Sequence, residues 1–327
     1  MKVIFSIWFC GLAYFGLSQF SYDYIRQPNS FSSSVAGGVI VSNSAGDLSS
    51  WMDNPALMDS SVYQHAAISI NPYFSDIIRY GVTASWNTSK VDYLMAGVLY
   101  NSYGEFDRLD QIGQQIGSFS GRSYTIQVGA SHKIGLFQLG TSLKYSGILL
   151  ESTSASLILM DLGGMVQHPT KSLSAGMSIR NFGWIINEPV VLSSSQVPFD
   201  VVVGLTFKPA YMPFRFTLTA YDLPRTNEEV VPQDQIQDRV FSPVLRFVNP
   251  SLALVLSDLM ELQLGYNYRI NESLRLENGG FGAGWSFGFK LLMKKYQVMI
   301  ARNTYQAAGG TTFITLQTDY RTIKNIF

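Results

Sequence analysis

Apolar residues alternate with polar or very small ones, over about eight to ten residues at a time and many times along the chain. This pattern limits the fold more than any other feature of the sequence. Phe137, Leu139, Thr141, Leu143 and Tyr145 alternate with Gln138, Gly140, Ser142, Lys144 and Ser146. Tyr124, Ile126, Val128 and Ala130 alternate with Thr125, Gln127, Gly129 and Ser131. Leu262, Leu264, Tyr266, Tyr268 and Ile270 are set against Glu261, Gln263, Gly265, Asn267 and Arg269. Successive side chains of a strand point to opposite faces, so each run has one greasy face and one polar or tiny face. Globular strands average about 5–6 residues, whereas a tilted strand that crosses lipid needs about 9–11.

Fourteen such runs lie near residues 64–73, 77–88, 91–103, 121–132, 135–148, 154–167, 171–183, 199–209, 213–223, 246–257, 260–271, 281–293, 295–305 and 311–320. An even number suits a closed antiparallel barrel. Alternate connections are short, as at Lys133–Ile134 or His168–Thr170. The long ones, Gly104–Ser120, Trp184–Pro198 and Pro224–Leu245, all fall on one side. Short periplasmic turns and long outer loops are the habit of outer-membrane barrels, and a soluble sandwich has no reason to sort its loops this way. The terminal Phe327 agrees with this reading, since many such barrels end on an aromatic residue.

Composition points the same way. Charged residues make up 14% of the chain, against about 25% in an average soluble domain. Lys+Arg and Asp+Glu balance at 23 each, so no basic excess exists to draw nucleic acid. Lys2 followed by the apolar stretch Val3–Leu17, with Gly16 and Ser18 at its end, reads as an export signal over residues 1–18. The sole cysteine, Cys10, lies inside that segment, and Phe9 stands where a lipoprotein box needs a small residue. The chain beyond residue 18 therefore has no thiol chemistry.

Residues 19–63 break the alternation. Asp47 or Ser49 can cap a helical turn that Pro55 would end, and Trp51, Met52 and Leu57 argue for a packed segment. Such a segment, placed before a barrel wide enough to need filling, is expected to be a hatch in the lumen, with the barrel over residues 64–327. Gly46-Asp47 followed by Asn54-Pro55-Ala56 resembles the hatch of FadL-type outer-membrane barrels. The strand segments Gln263-Leu264-Gly265-Tyr266-Asn267-Tyr268-Arg269, Ser286-Phe287-Gly288-Phe289-Lys290 and Tyr305–Gly310 are similar to the PorV/PorQ-like barrels of the Bacteroidota type IX secretion system. The similarity extends over nearly the whole chain after residue 18 and implies a membrane anchor for a cell-surface attachment complex, with PorZ-, PorU- and PorV-like proteins as partners. It carries over Gly46, Asp47, Asn54, Pro55 and Ala56 as structural hatch positions and no catalytic residue. The long links 184–198 and 224–245 show no motif of that family.

Residues with other chemistry are scattered. His65, His132 and His168 have no paired spacing for a metal. The run Gly279–Gly284 lacks the following helix of a phosphate loop and reads as strand glycines at a bend. Glu228, Glu229, Asp234 and Asp238 read as a solvated outer loop. The expectation is thus an all-β, non-enzymatic outer-membrane barrel without cofactor or metal, in contact with lipid and lipopolysaccharide. Two functions remain: an anchor in a secretion assembly, or a FadL-like channel for hydrophobic small molecules. An inward face of Gln, Ser, Gly, Asn, Lys and Arg leans towards the first.

Overall fold

The computed structural model describes residues 22–59, 61–88, 91–110, 112–151, 153–188, 196–225, 242–274, 282–293, 295–306 and 309–320. The expected export signal, Phe327 and the acidic residues of 228–238 lie outside the described residues. Fourteen strands form one closed antiparallel barrel, each paired with its sequence neighbours and the first paired with the last. They are β1 His65–Pro72, β2 Ile78–Trp86, β3 Tyr93–Leu109, β4 Gln115–Ile134, β5 Phe137–Leu150, β6 Thr153–Gln167 and β7 Leu173–Asn187. The circuit continues with β8 Asp200–Phe207, β9 Phe214–Ala220, β10 Val248–Val255, β11 Met260–Tyr266, β12 Trp285–Met293, β13 Tyr296–Gln306 and β14 Gly309–Asp319. Closure runs from His65↔Asp319 to Ile70↔Ile314. Within the wall each strand is paired on both sides, which is what lets a sheet sit in lipid.

The alternation sorts inside from outside. On β5, Leu139, Leu143 and Tyr145 are exposed, while Gln138, Ser142, Lys144 and Ser146 are buried. The register carries this across strands: Ile126 faces Tyr145 and Val128 faces Leu143 on the exterior. Val82, Val98, Leu205, Leu218, Phe287 and Leu316 continue the exposed apolar belt around the wall. A belt of that extent would be a liability in water and is the burying face of a barrel in lipid.

Three parts depart from the sequence reading. The Gly104–Ser120 link is mostly strand: Glu105–Leu109 pair with Gln115–Ser120 and extend the β3–β4 hairpin as a two-stranded ribbon. Neither neighbouring ladder reaches it, since the pairing of β3 with β2 ends at Ser102 and that of β4 with β5 at Gly121. Its alternation is weak because both faces are solvated. The run 260–271 ends as strand at Tyr266, and Tyr268–Ser273 form a short helix. Asn267 causes the switch, because its side chain accepts the Ile270 N–H at 3.0 Å and caps that helix. The run 281–293 likewise begins as strand only at Trp285, with Gly284 at φ +85° before it. The 11–12 connection thereby joins the long ones, on the same side as those between β7 and β8 and between β9 and β10.

Candidate functional site

The described residues of the N-terminal segment, 22–59 and 61–63, lie inside the barrel and touch its wall nearly all the way round. A five-residue helix, α1 (Phe31–Val35), starts at Ser30, whose side chain accepts the Ser33 N–H while Ser33 Oγ accepts the Ser30 N–H. This reciprocal capping satisfies two orphan donors in a segment too short to hold a helix by propensity. Phe31 and Val35 then pack on Met299, Ala301 and Phe313 of β13 and β14. A 3₁₀ turn over Leu48–Met52 presses Trp51 and Met52 against Ala67, Met95 and Leu99. Trp51 Nε1 also donates to Thr83 Oγ1 at 2.8 Å. Losing a buried side chain of that size costs about 3–5 kcal/mol.

Each hatch position singled out in the sequence has a defined place. Gly46 sits at φ +74°, and its carbonyl accepts from Gln297 Nε2 at 3.1 Å and Gln317 Nε2 at 3.0 Å. Asp47 caps the 3₁₀ turn by accepting the Ser49 N–H at 3.0 Å and reaches across to the Ser32 N–H at 2.8 Å. Asn54 Oδ1 accepts the Ala56 N–H at 2.9 Å, closing a turn around Pro55, and its Nδ2 donates to the Val41 carbonyl at 2.8 Å. These five residues shape the hatch and its contacts with the wall.

What fits the hatch to the wall is a set of inward glycines. A Cβ on Gly97 would come within 2.7 Å of Met52 Cε, and one on Gly129 within 3.0 Å of the Trp51 ring. Gly140 and Gly163 lie beneath Asn54-Pro55-Ala56, Gly176 and Gly204 beneath Val41-Ser42, and Gly265 and Gly288 beneath Val35. A side chain at Gly140, Gly176 or Gly265 would strike hatch backbone. In the sequence these glycines appear only as the tiny members of the polar rows; their recurrence was the available sign of close backbone approach.

Charge completes the seat. Arg180 Nη2 meets Asp53 Oδ1 at 3.3 Å, both side chains buried. Lys144 Nζ pairs with Asp161 Oδ2 at 2.6 Å. Among the described residues no carboxylate forms an ion pair with Arg79, which donates to the carbonyls of Tyr24 at 2.7 Å and Pro28 at 2.8 Å and to Asn101 Oδ1 at 2.7 Å. A bulge in β7 lets Arg180 and Asn181, consecutive residues, both be buried inside: Asn181 stands at φ +58° and its N–H donates to Asp161 Oδ1 at 2.8 Å. Period-two reading cannot see this, because a bulge adds a residue on one strand only. Within the hatch, burial pushes the Asp47 carboxyl up to about 6, with backbone N–H bonds opposing and the Asp53 charge adding to the rise. Asp53 is raised as well, by burial first, against the pull of Arg180.

Two cavities flank the hatch. One of about 440 Å³ lies towards the outer strand ends and is lined by Arg26, Gly37, Tyr73, Arg180, Asn249, Asn267, Arg269 and Tyr305 among others. The other, about 330 Å³, lies towards the opposite ends, between Ser42–Ser44, Leu57–Asp59 and wall residues that include Lys133 and Gln138. At the outer one, Asp222 holds Arg26 at 3.1 Å and Arg269 at 2.8 Å. Burial alone would raise the Asp222 carboxyl, but the hydrogen bond from Arg269 and the charge of Arg26 hold it below the usual carboxylate range. The histidines stand apart: His65 at the start of β1 contacts the Tyr63 carbonyl, His132 contacts Asp92 at 2.9 Å, and His168 accepts the Lys171 N–H.

No protein-family model and no curated protein matches the chain. Among solved structures it is similar to a ΔS2S3 mutant of the TodX monoaromatic hydrocarbon channel, at 9% identity over 89% of this chain and 97% of that one, with a TM-score of 0.49. A ΔS2 mutant of the same channel matches at 10% identity over 87% and 96%, with a TM-score of 0.48. The KdgM porin matches at 6% identity over 78% and 98%, with a TM-score of 0.35.

Proposed function

We propose that this chain is an outer-membrane barrel held shut by its own hatch, and that displacement of the hatch opens a path for a small molecule. The observation that carries this reading is the pair of cavities on either side of the hatch, each lined in part by hatch residues. Hatch and wall are the parts that separate them, and a barrel this wide conducts unless it is filled. The exposed apolar belt supports the membrane setting. A polar passenger suits the lumen better than a hydrophobic one, because the wall's inward rows carry Asn101, Gln127, Lys144 and Asp161 among others.

One observation favours the second reading, a membrane anchor for a surface attachment complex with PorZ-, PorU- or PorV-like partners. The β3–β4 ribbon extends beyond the ladders of β2 and β5, with Arg108 paired to Glu151 at its base, and exposes Phe106, Leu109, Ile112 and Ile116. Exposed apolar side chains on a strand ribbon are a common basis for protein contact.

Ser42 Oγ of the hatch and Thr206 Oγ1 of β8 are 2.7 Å apart, so Ser42→Cys with Thr206→Cys places two sulfurs in bonding range. In liposomes swelling in sugar solution, the conduit reading expects permeation by the reduced double variant and its loss on oxidation. Swelling that is absent in both states, together with a surface protein that co-purifies with wild type and is lost from Ile112→Asp/Ile116→Asp, would replace it by the anchor.

A further inference from the structure

The sheet is closed within the wall, but the β3–β4 ribbon above it has two edges of its own. They differ. On the β4 side, Arg108 lies opposite Gly117, which has no side chain, and reaches past it to pair with Glu151 in the β5–β6 turn. That edge is bridged. On the β3 side, the β1–β2 turn meets the chain at Gly104, where an added Cβ would come within 2.8 Å of Asp76 Cβ. Beyond Gly104, no described residue pairs its backbone with that side of 105–109. A strand edge open to water presents a row of N–H and C=O groups from alternate residues, which is a template for a further strand.

The side chains along this edge decide which strand can pair with it. Glu105 and Asp107 are two residues apart, so they share a face, and both are exposed. Their opposite neighbours, Ser120 and Ser118, bring no charge. Asp76 stands at the foot of the edge and Asp110 at its tip. Among the described residues none of these four carboxylates forms an ion pair. Asp107 accepts from Gln115 Nε2, and Asp110 accepts the N–H groups of Ile112 and Gln114. On the other face Phe106 is exposed and stacks on Phe119, with ring centroids 5.4 Å apart. A second copy of the ribbon would set acid against acid, and like charges placed opposite one another destabilise a strand pair. A wholly apolar strand would leave the carboxylates without partners. A strand with Lys or Arg on one face and apolar side chains on the other answers both faces at once.

We propose that the open β3 edge at 105–109 takes up an extended segment of a surface partner, basic on one face and apolar on the other, as an added strand. This rests on the anchor reading, for which it names the contact. The test is titration of the full chain in phosphatidylcholine nanodiscs, with empty discs subtracted, using three end-capped peptides. One alternates lysine with valine; the second is the same sequence N-methylated throughout, which keeps the charge and loses every N–H; the third alternates glutamate with valine. Saturable binding of the lysine peptide is expected, weakened at least about tenfold by N-methylation and in Glu105→Gln/Asp107→Gln. The double variant is first shown to keep heat-modifiable migration; if it fails to fold, the preference of the wild-type chain among the three peptides decides. Absence of saturable lysine-peptide binding up to about 1 mM would overturn the proposal. So would equal binding of the N-methylated peptide, preference for the glutamate peptide, or undiminished binding by the folded variant. A wild-type dimer dispersed by Ile112→Asp/Ile116→Asp would assign the edge to a second copy and overturn it as well. If a surface protein co-purifies through the ribbon but the lysine peptide does not bind, strand addition falls and the anchor reading stands. If the lysine peptide binds as expected and no surface protein co-purifies, the anchor reading falls and the edge stands.

Discussion

Gly163 and Gly164 are adjacent on β6 and give opposite expectations for the same substitution. A methyl at Gly163 would strike Asn54 Oδ1 and come within 2.9 Å of Pro55 Cδ and 3.0 Å of the Ala56 nitrogen. None of these can easily withdraw: Asn54 is tied to Val41 and Ala56, and the others are ring and backbone. A methyl at Gly164 meets only Leu139 Cδ2, at an ordinary 3.8 Å. Overpacking of a filled site costs about 1–3 kcal/mol, which is about 5–150-fold in the population of undocked hatch. Any general effect of replacing glycine within a strand is common to both variants and cancels between them. The reporter is Ser50→Cys, a fully buried hatch position, in a chain whose single Cys10 is replaced by Ser. Labelling by a maleimide is expected to accelerate by that factor in Gly163→Ala and to stay near the wild-type rate in Gly164→Ala. Both variants should keep the heat-modifiable migration of a closed barrel. Equal labelling of the two would refute the seating of Asn54-Pro55-Ala56 on β6.

Other perturbations have equally definite outcomes. The docked Asp47 carboxyl titrates near 6, against 3.8 when solvated, so the docked hatch binds that proton more tightly than the undocked one. Docking is therefore strongest below pH 3.8 and weakens as pH rises through about 6, by about 3 kcal/mol from this group. Asp53, also raised, acts in the same direction. Labelling of Ser50→Cys, normalised to an unfolded control, should be faster at pH 8 than at pH 5, and Asp47→Asn should flatten part of that rise. Arg180→Met leaves Asp53 buried without its cation, and hatch docking should weaken by about 3–5 kcal/mol. Adding Asp53→Asn should restore part of the loss in the same labelling assay. Leu143→Arg places a charge on the exposed apolar face of β5 and should destabilise the barrel by about 2–4 kcal/mol if it lies near the midplane, read by urea unfolding in vesicles.

The barrel was legible because its signal is local. The alternation of residues 137–146 depends only on which side of a strand meets lipid, and the rows fall as read. Loop parity was legible in the same way, although its Gly104–Ser120 member is a ribbon and residues 267–284 form a further long connection. What escaped depends on contacts far apart in sequence. The β7 bulge exists to bring Arg180 to Asp53 and Asn181 to Asp161, and neither partner is near it in the chain. The end of β11 turns on one capping side chain, Asn267, which an apolar count ignores. The outer cavity gathers residues from hatch, wall and outer connections, so no window of sequence contains it. The broken alternation around Gly46, Asp47, Asn54, Pro55 and Ala56 is visible in the sequence, but the glycines opposite them acquire meaning only once the strands are closed into a wall.

Cross-linking of Ser42→Cys with Thr206→Cys in native membranes tests the seated hatch most directly. The two hydroxyls stand 2.7 Å apart across the hatch–wall boundary, whereas the neighbouring Leu205 is exposed on the exterior. A hatch docked in the lumen should give nearly complete disulfide formation on mild oxidation, seen as a shift in electrophoretic mobility, and none for Ser42→Cys with Leu205→Cys. Failure of the first pair to cross-link in a barrel with normal heat-modifiable migration, or equal cross-linking of both pairs, would contradict a lumen closed by this segment.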